Sequence, residues 1–300
     1  MTPTEKQLVS VFTEQVFYNI FNLILTLTCY GAFMLGFIIA LQSLTMGSWG
    51  RPQTVLLACL ITTFICFSWI VFDVGAVFLE VDYYALDQTL VTAANKKVMI
   101  WEDTSGWPFI INLLLSDSIV VWRAFMLYAQ SKFWRFILVI LLIANVGLNV
   151  GDIIWDTVNE GTEFSKSVIL DWLAVVLSLI VNMIATMLFS YKAWNHHQYM
   201  EGVNGALVRR GTRAQKILNL LIESGVIFCT VQFIYVIVIV LDACNIIISS
   251  SQWSRHTVDA IFITASACYP VAVIGLLNMD NKRLASTDSE SSECSKICTE

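Results

Sequence analysis

The chain has 300 residues, of which 57% are hydrophobic and 13% are charged, and its mean hydropathy is +0.71. Soluble domains contain about 45–50% apolar and about 25% charged residues, so this composition excludes an ordinary soluble domain and predicts an integral membrane protein. The formal net charge is −6 and the basic residues are scattered in short segments, so the chain gives no support to nucleic-acid binding.

Apolar stretches recur along the chain at lengths close to the roughly 20 residues that a membrane-spanning helix needs. In chain order the predicted spans are Val16–Leu41, Thr54–Leu79, Trp107–Tyr128, Phe136–Val150, Ser167–Ser190, Ile217–Leu241 and Ala260–Leu277. Span three is expected to begin with Pro108 in its first turn, where a helix tolerates proline. Span four is the shortest, and a count of six spans is the competing interpretation. We predict an all-α protein with a seven-transmembrane helix bundle over residues 16–279.

The orientation follows from the basic residues, which concentrate on the cytoplasmic side of membrane proteins. Twelve of the 17 Lys and Arg residues fall on the side that carries the C-terminus. We therefore expect an extracellular N-terminus (residues 1–15) and a disordered, acidic, Ser/Thr-rich cytoplasmic tail (residues 280–300). The plasma membrane is the expected location.

Two opposite charges lie within predicted spans at a similar depth. Arg123 lies near the inner end of span three and Glu223 near the inner end of span six, both about 8–9 Å inside the boundary. An ion pair between them would form an inter-helix latch that holds these helix ends together until it opens. The alternatives are a static pair and an Arg123 side chain that snorkels to lipid phosphates.

Asp117 lies near the middle of span three, where an ionised side chain costs about 2.5–3.5 kcal/mol on insertion scales and therefore usually has partners inside the protein. It is six residues from Arg123, too far for a helical i,i+4 pair, so its partners should lie on other helices. Asn182 and Asn219 are candidates. The site is either a coupling or ion site or a satisfied polar contact between helices.

Acidic residues accumulate towards the predicted outer side. They could line a ligand vestibule that attracts cations, formed by Asp73, Asp171, Trp172 and Tyr269, or they could simply mark the water interface. On the predicted inner side, the basic loop Tyr191–Lys216 could bind anionic lipid or a cytoplasmic effector through Arg209, Arg210, Arg213 and Lys216.

No enzymatic activity, cofactor or metal site is expected. Span seven contains no Lys that could carry a retinal Schiff base, and Val150-Gly151-Asp152 lacks the preceding Gly of intramembrane aspartyl proteases. The chain has only three His residues, which do not form a zinc-binding pattern within the spans.

Three motifs carry a resemblance to a known family. The segments "DSIVVWRAFMLY" (117–128), "LIESGVIF" (221–228) and "YPVAVIGLL" (269–277) resemble landmarks of seven-span, receptor-like membrane proteins of basidiomycete fungi. The resemblance covers about Tyr18 to Arg283. Rhodopsin-like G-protein-coupled receptors are similar more loosely, but Arg123 follows Trp122 rather than an acid, and Tyr269-Pro270 reverses the usual Asn-Pro…Tyr order.

We predict a receptor-like signalling or sensing protein that binds a small molecule or peptide in its outer half. Span six would then move away from span three, and coupling to a G protein stays open. The alternatives are a secondary transporter or channel that uses Asp117, and a structural or adaptor membrane protein.

Overall fold

The computed structural model describes residues 3–45, 51–84, 91–128, 131–158, 164–201, 208–243 and 257–275. These residues form seven α-helices: α1 (Pro3–Thr45), α2 (Arg51–Tyr84), α3 (Val91–Leu127), α4 (Lys132–Val158), α5 (Phe164–Glu201), α6 (Val208–Ala243) and α7 (Thr257–Gly275). Each contains a segment that is long and apolar enough to cross a membrane. The predicted count of seven is therefore confirmed, and the fourth such segment runs over Lys132–Trp155, well beyond its predicted bounds.

The helices extend beyond the predicted spans. Helix α1 already begins at Pro3, and α3 begins at Val91, so Pro108 lies inside α3 rather than in its first turn. Helix α5 continues to Glu201, within the segment predicted as a basic loop. Hydropathy locates the part of a helix that suits lipid, whereas polar residues outside the lipid can also be helical.

Consecutive helices run antiparallel. Aromatic contacts show this for α1 and α2, where Phe33 meets Phe67 and Phe37 meets Phe64 at ring centroid distances of 4.9 and 4.6 Å. Hereafter the N-terminal end of the bundle is the end at which α1 begins, and the C-terminal end is the end at which α7 finishes.

Helix α3 lies at the centre of the bundle. It packs against α2, α4 and α5, and Phe109 contacts Phe262 of α7. Half of the apolar segment is buried in α3, α5 and α7, against 17% in α1 and α6. Helix α7 also shares a hydrophobic cluster with α1 and α2 that includes Phe33, Phe67 and Val271. The central position of α3 determines which of its side chains can meet groups from several helices at once.

The bundle has an apolar exterior and a partly polar interior. Large hydrophobic side chains such as Leu35, Phe136 and Ile143 are about two-thirds exposed. In contrast, Asn112 and Asp117 of α3 and Asn145 of α4 are fully buried. This distribution is the reverse of that in a water-soluble protein.

Candidate functional site: a buried polar network

Asp117 lies at the centre of a hydrogen-bond network between helices. Its carboxylate is fully buried and accepts three hydrogen bonds. Asn145 Nδ2 of α4 and Ser178 Oγ of α5 donate to Oδ2 at 2.7 and 2.6 Å, and Asn182 Nδ2 of α5 donates to Oδ1 at 2.6 Å. A carboxylate has enough lone pairs for all three bonds. Asp117 therefore joins α3 to two neighbouring helices near the middle of the span.

The network continues into α6 through Gln232, which is also fully buried. Gln232 Nε2 donates to Ser178 Oγ at 3.0 Å, and Gln232 Oε1 accepts from Asn182 Nδ2 at 3.1 Å. Four helices are thus connected by neutral amides, one hydroxyl and one carboxylate. Such interhelical bonds are worth up to about 1–2 kcal/mol each inside a membrane protein.

The amide of Asn182 has more acceptors than it can serve. Its nitrogen lies within hydrogen-bond distance of Asp117 Oδ1, the Ser178 carbonyl oxygen and Gln232 Oε1, at 2.6, 3.1 and 3.1 Å. An amide nitrogen carries only two hydrogens, so one of these acceptors is always without that donor. Its own oxygen, Oδ1, is buried and has no hydrogen-bond partner within the described part of the chain. This part of the network can therefore exchange partners without moving a helix.

Towards the N-terminal end of the bundle, the network reaches a small cavity. Asn149 Nδ2 donates to the side-chain and main-chain oxygens of Asn145 at 3.1 and 2.8 Å. Asn149 also lines a cavity of about 170 Å³ between α3, α4 and α5, together with Asp152, Gly106, Phe109 and Ala174. A molecule in this cavity would contact the first residue of a hydrogen-bond chain that ends on α6.

The local sequence explains why these side chains meet. Asn145, Asn149 and Asp152 are spaced by four and three residues, which places them on one face of α4. Ser178 and Asn182 are spaced by four residues on α5 in the same way. Because the main chain of a helix is hydrogen-bonded within that helix, these side chains can bond to neighbouring helices.

Arg123 and Glu223 do not form the predicted latch, and that prediction is wrong. The guanidinium nitrogens of Arg123 have no hydrogen-bond partner in the described residues, and Glu223 is exposed. The buried face of α6 carries Leu221, Gly225 and Phe228. Glu223 is two residues from Gly225, which places it about 160° away around the helix, on the outer surface of the bundle.

The alternative in which Arg123 snorkels to the lipid surface is also wrong. Only 7% of the side chain is exposed, and all three guanidinium nitrogens are buried. The phenol of Tyr269 on α7 interacts electrostatically with Arg123, and its ring stacks on Phe228 at a centroid distance of 4.8 Å. Arg123 therefore points into the bundle. The sequence gives its depth within the span but not the direction in which its side chain points.

The vestibule prediction is wrong for Tyr269 and stays a prediction for the other three residues. Tyr269 belongs to the hydrophobic cluster around Phe228, nine residues and about 14 Å along α7 from Ala260. Ala260 lines a small cavity with Ile70 and Val74, at the level of the buried Asp73. Trp172 is half-buried, and the side chain of Asp171 lies outside the described residues.

The predicted cytoplasmic surface is described only as backbone. Residues 209, 210, 213 and 216 belong to α6, and their side chains lie outside the described residues. Binding of a partner by Arg209, Arg210, Arg213 and Lys216 stays a prediction. The acidic tail, 280–300, also lies outside the described residues.

Two partners of Asp117 were proposed from the sequence, and one is confirmed. Asn182 donates to the carboxylate, whereas Asn219 is exposed near the C-terminal end of the bundle. Asn145, Ser178 and Gln232 were not predicted, because an uncharged polar residue within a span is a weaker signal than a charged one. The sequence nevertheless indicates them, because each is a hydrogen-bonding residue in an otherwise apolar segment, where such residues are costly unless they are paired.

Comparison of the chain with protein-family models, with curated proteins and with solved structures finds no match.

Proposed function

We propose that this protein is a multi-pass membrane protein that senses a small ligand, with a receptor-like signalling role and without enzymatic activity. The apolar exterior and the seven helices of suitable length support insertion in a bilayer. The excess of basic residues towards the C-terminal side supports an extracellular N-terminus, a cytoplasmic C-terminus and residence in the plasma membrane. The three motifs that resemble basidiomycete receptor-like proteins point to the same class.

One observation carries the sensing proposal: the hydrogen-bond chain from the cavity at Asn149 to Gln232 on α6. It passes through Asn145, Asp117 and then Ser178 or Asn182. A ligand that bonds to the Asn149 amide competes with Asn145 for it, and Asn145 in turn helps to hold Asp117. The Asn182 amide has more hydrogen-bond acceptors in reach than it has hydrogens, so it can exchange partners. This exchange supplies the second hydrogen-bond arrangement that a two-state coupling element requires.

The cavity favours a small cation. Its volume of about 170 Å³ suits a molecule of a few non-hydrogen atoms, and the buried carboxylate of Asp152 lies in its wall. Phe109 adds an aromatic face, which attracts cations through its ring electrons. Small primary amines and quaternary ammonium ions are therefore the probes to test first.

The test separates ligand binding from signalling. Spin labels are placed on Met126→Cys of α3 and Leu220→Cys of α6, two exposed positions near the C-terminal end, in a background without other cysteines. The distance distribution between the labels is measured with and without ethylamine or tetramethylammonium. We expect a ligand-dependent shift that is lost in Asn149→Ala, while Asn195→Ala, an exposed residue of the same type, retains it.

Binding is followed in the same samples by thermal stabilisation. Stabilisation by a cation that is lost in Asp152→Asn supports the cavity as the ligand site. If no cation stabilises the protein and the label distance never changes, the sensing proposal is wrong.

Secondary transport is the second candidate because Asp117 places a carboxylate at mid-span in a fully buried position. Proton or cation flux into vesicles that contain the purified protein, abolished by Asp117→Asn, would favour transport over sensing. The three hydrogen bonds that Asp117 accepts favour the sensing role, since a transport site must release its partners.

A further inference from the structure

We propose that the bundle contains a binding site for a small inorganic anion, such as chloride, at Arg123. This site is separate from the cation cavity at Asn149 and does not depend on the sensing role. It rests on the burial of one guanidinium group and on the absence of a hydrogen-bond partner for it among the described residues.

The charge of Arg123 needs a counter-ion inside the protein. All three of its guanidinium nitrogens are buried and lack a hydrogen-bond partner among the described residues. A buried charge that is neither paired nor hydrogen-bonded costs several kcal/mol. Lysine, histidine or an acid can lose its charge in such a place, but arginine stays protonated in proteins. A bound anion would supply the missing charge compensation.

Asp117 is not that counter-ion. It lies six residues away on α3, about 9 Å along the axis and about 120° around it. Both of its oxygens already accept hydrogen bonds from α4 and α5. Glu223 is excluded as well, because it lies on the exposed face of α6.

Asn112, Ser116 and Arg123 form a polar stripe on one face of α3 and lie within about 40° of one another around the helix. Both amide atoms of Asn112 and the hydroxyl of Ser116 are also buried and without a hydrogen-bond partner in the described ranges. Along the axis, Ser116 is about 10 Å and Asn112 about 16 Å from Arg123, so the anion itself is held at the guanidinium and not by these two side chains.

The burial of Arg123 also limits the size of the anion. A lipid headgroup carries its phosphate at the bilayer surface, yet the guanidinium nitrogens have essentially no exposed area. The neighbouring side chains Val120 and Ala124 are buried in the same cluster as the Phe228–Tyr269 pair. A headgroup phosphate would have to leave the bilayer surface to reach this buried group, so a monatomic or similarly compact anion is the expected ligand.

The test uses the full-length protein, purified in an uncharged detergent in potassium gluconate. Gluconate is replaced stepwise by chloride, bromide or nitrate at constant ionic strength, and the melting temperature is followed by tryptophan fluorescence. We expect a saturable increase of the order of 5 °C at high occupancy. In Arg123→Gln the increase should disappear, and the melting temperature in gluconate should equal or exceed that of the wild type.

Arg135→Gln is the matched control, because Arg135 is only half-buried and its guanidinium lies 3.9 Å from the centre of the Phe125 ring. This variant should retain the response to chloride. An equal response in Arg123→Gln, or no response in the wild type, would overturn the proposal. A response to phosphatidylglycerol but not to chloride would overturn the assignment of a compact anion.

A direct measurement covers the case in which Arg123→Gln does not fold. Equilibrium dialysis of the wild-type protein against radioactive chloride should give one saturable site per chain, with bromide as a competitor. Absence of saturable chloride binding would refute the site without any variant.

Discussion

Replacement of Asp117 by leucine tests whether the polar network stabilises the bundle. The substitution removes the acceptor of three buried donors. The Asn182 amide keeps two other acceptors, so two donors, Asn145 Nδ2 and the Ser178 hydroxyl, are left without one in the described part of the chain. A buried donor without a partner costs about 1–3 kcal/mol.

The expected loss in the free energy of unfolding is about 2–4 kcal/mol. Two orphaned donors give a range of about 2–6 kcal/mol, and the small interhelical hydrogen-bond energies measured in membrane proteins favour its lower part. The assay is unfolding of the purified protein in mixed micelles, followed by tryptophan fluorescence and by helical circular dichroism.

Asn112→Leu is the matched control on the same helix. Asn112 is also fully buried, but neither atom of its amide has a hydrogen-bond partner among the described residues. Its replacement by an apolar side chain of similar size should be neutral or stabilising by up to about 1 kcal/mol. If Asn112→Leu destabilises the protein as much as Asp117→Leu does, hydrogen bonding to Asp117 is not the cause, and the argument fails.

Further substitutions test the packing of α6 and the missing latch. Gly225→Ala should lower the free energy of unfolding by about 1–3 kcal/mol, since an added Cβ would lie 2.8 Å from Thr186 Oγ1. Gly147→Ala, with nothing within 4 Å of the added Cβ, should instead raise it by about 0.5–1 kcal/mol. Equal effects of the two substitutions in the same unfolding assay would contradict this. Glu223→Gln should leave stability within about 0.5 kcal/mol because the side chain is exposed. The double charge swap Arg123→Glu with Glu223→Arg should be no more stable than Arg123→Glu alone, and a clear recovery in the double variant would show that the two residues do contact each other.

The number of helices could be predicted from the sequence, because the length and hydropathy of each apolar segment indicate by themselves whether it can span a membrane. The run over Lys132–Trp155 needs no neighbour to be recognised as a potential span. Helix ends were less predictable, because Val91–Gly106 and Tyr191–Glu201 are polar and yet helical. Hydropathy carries no information about a helix outside the lipid.

Part of the site was also predictable. The mid-span position of Asp117 and the need for partners on other helices follow from the cost of an isolated charge. Asn182 could be predicted as a partner by the same reasoning, and its hydrogen bond to Asp117 is present at 2.6 Å. The failure at Arg123 and Glu223 has a definite cause: equal depth was taken as proximity, although two residues at one depth can face opposite sides.

The sequence by itself determined that the chain consists of seven apolar helices with one acid at the centre of the third, because hydrophobicity and chain length are local properties. Only the tertiary structure decided that Asp117 bonds to α4 and α5 and reaches α6 through them, that Glu223 faces outward and that Arg123 lies buried without a hydrogen-bond partner in the described residues. These outcomes depend on the rotation of each helix about its own axis. That rotation is set by how whole helix faces pack against one another, which no single span encodes.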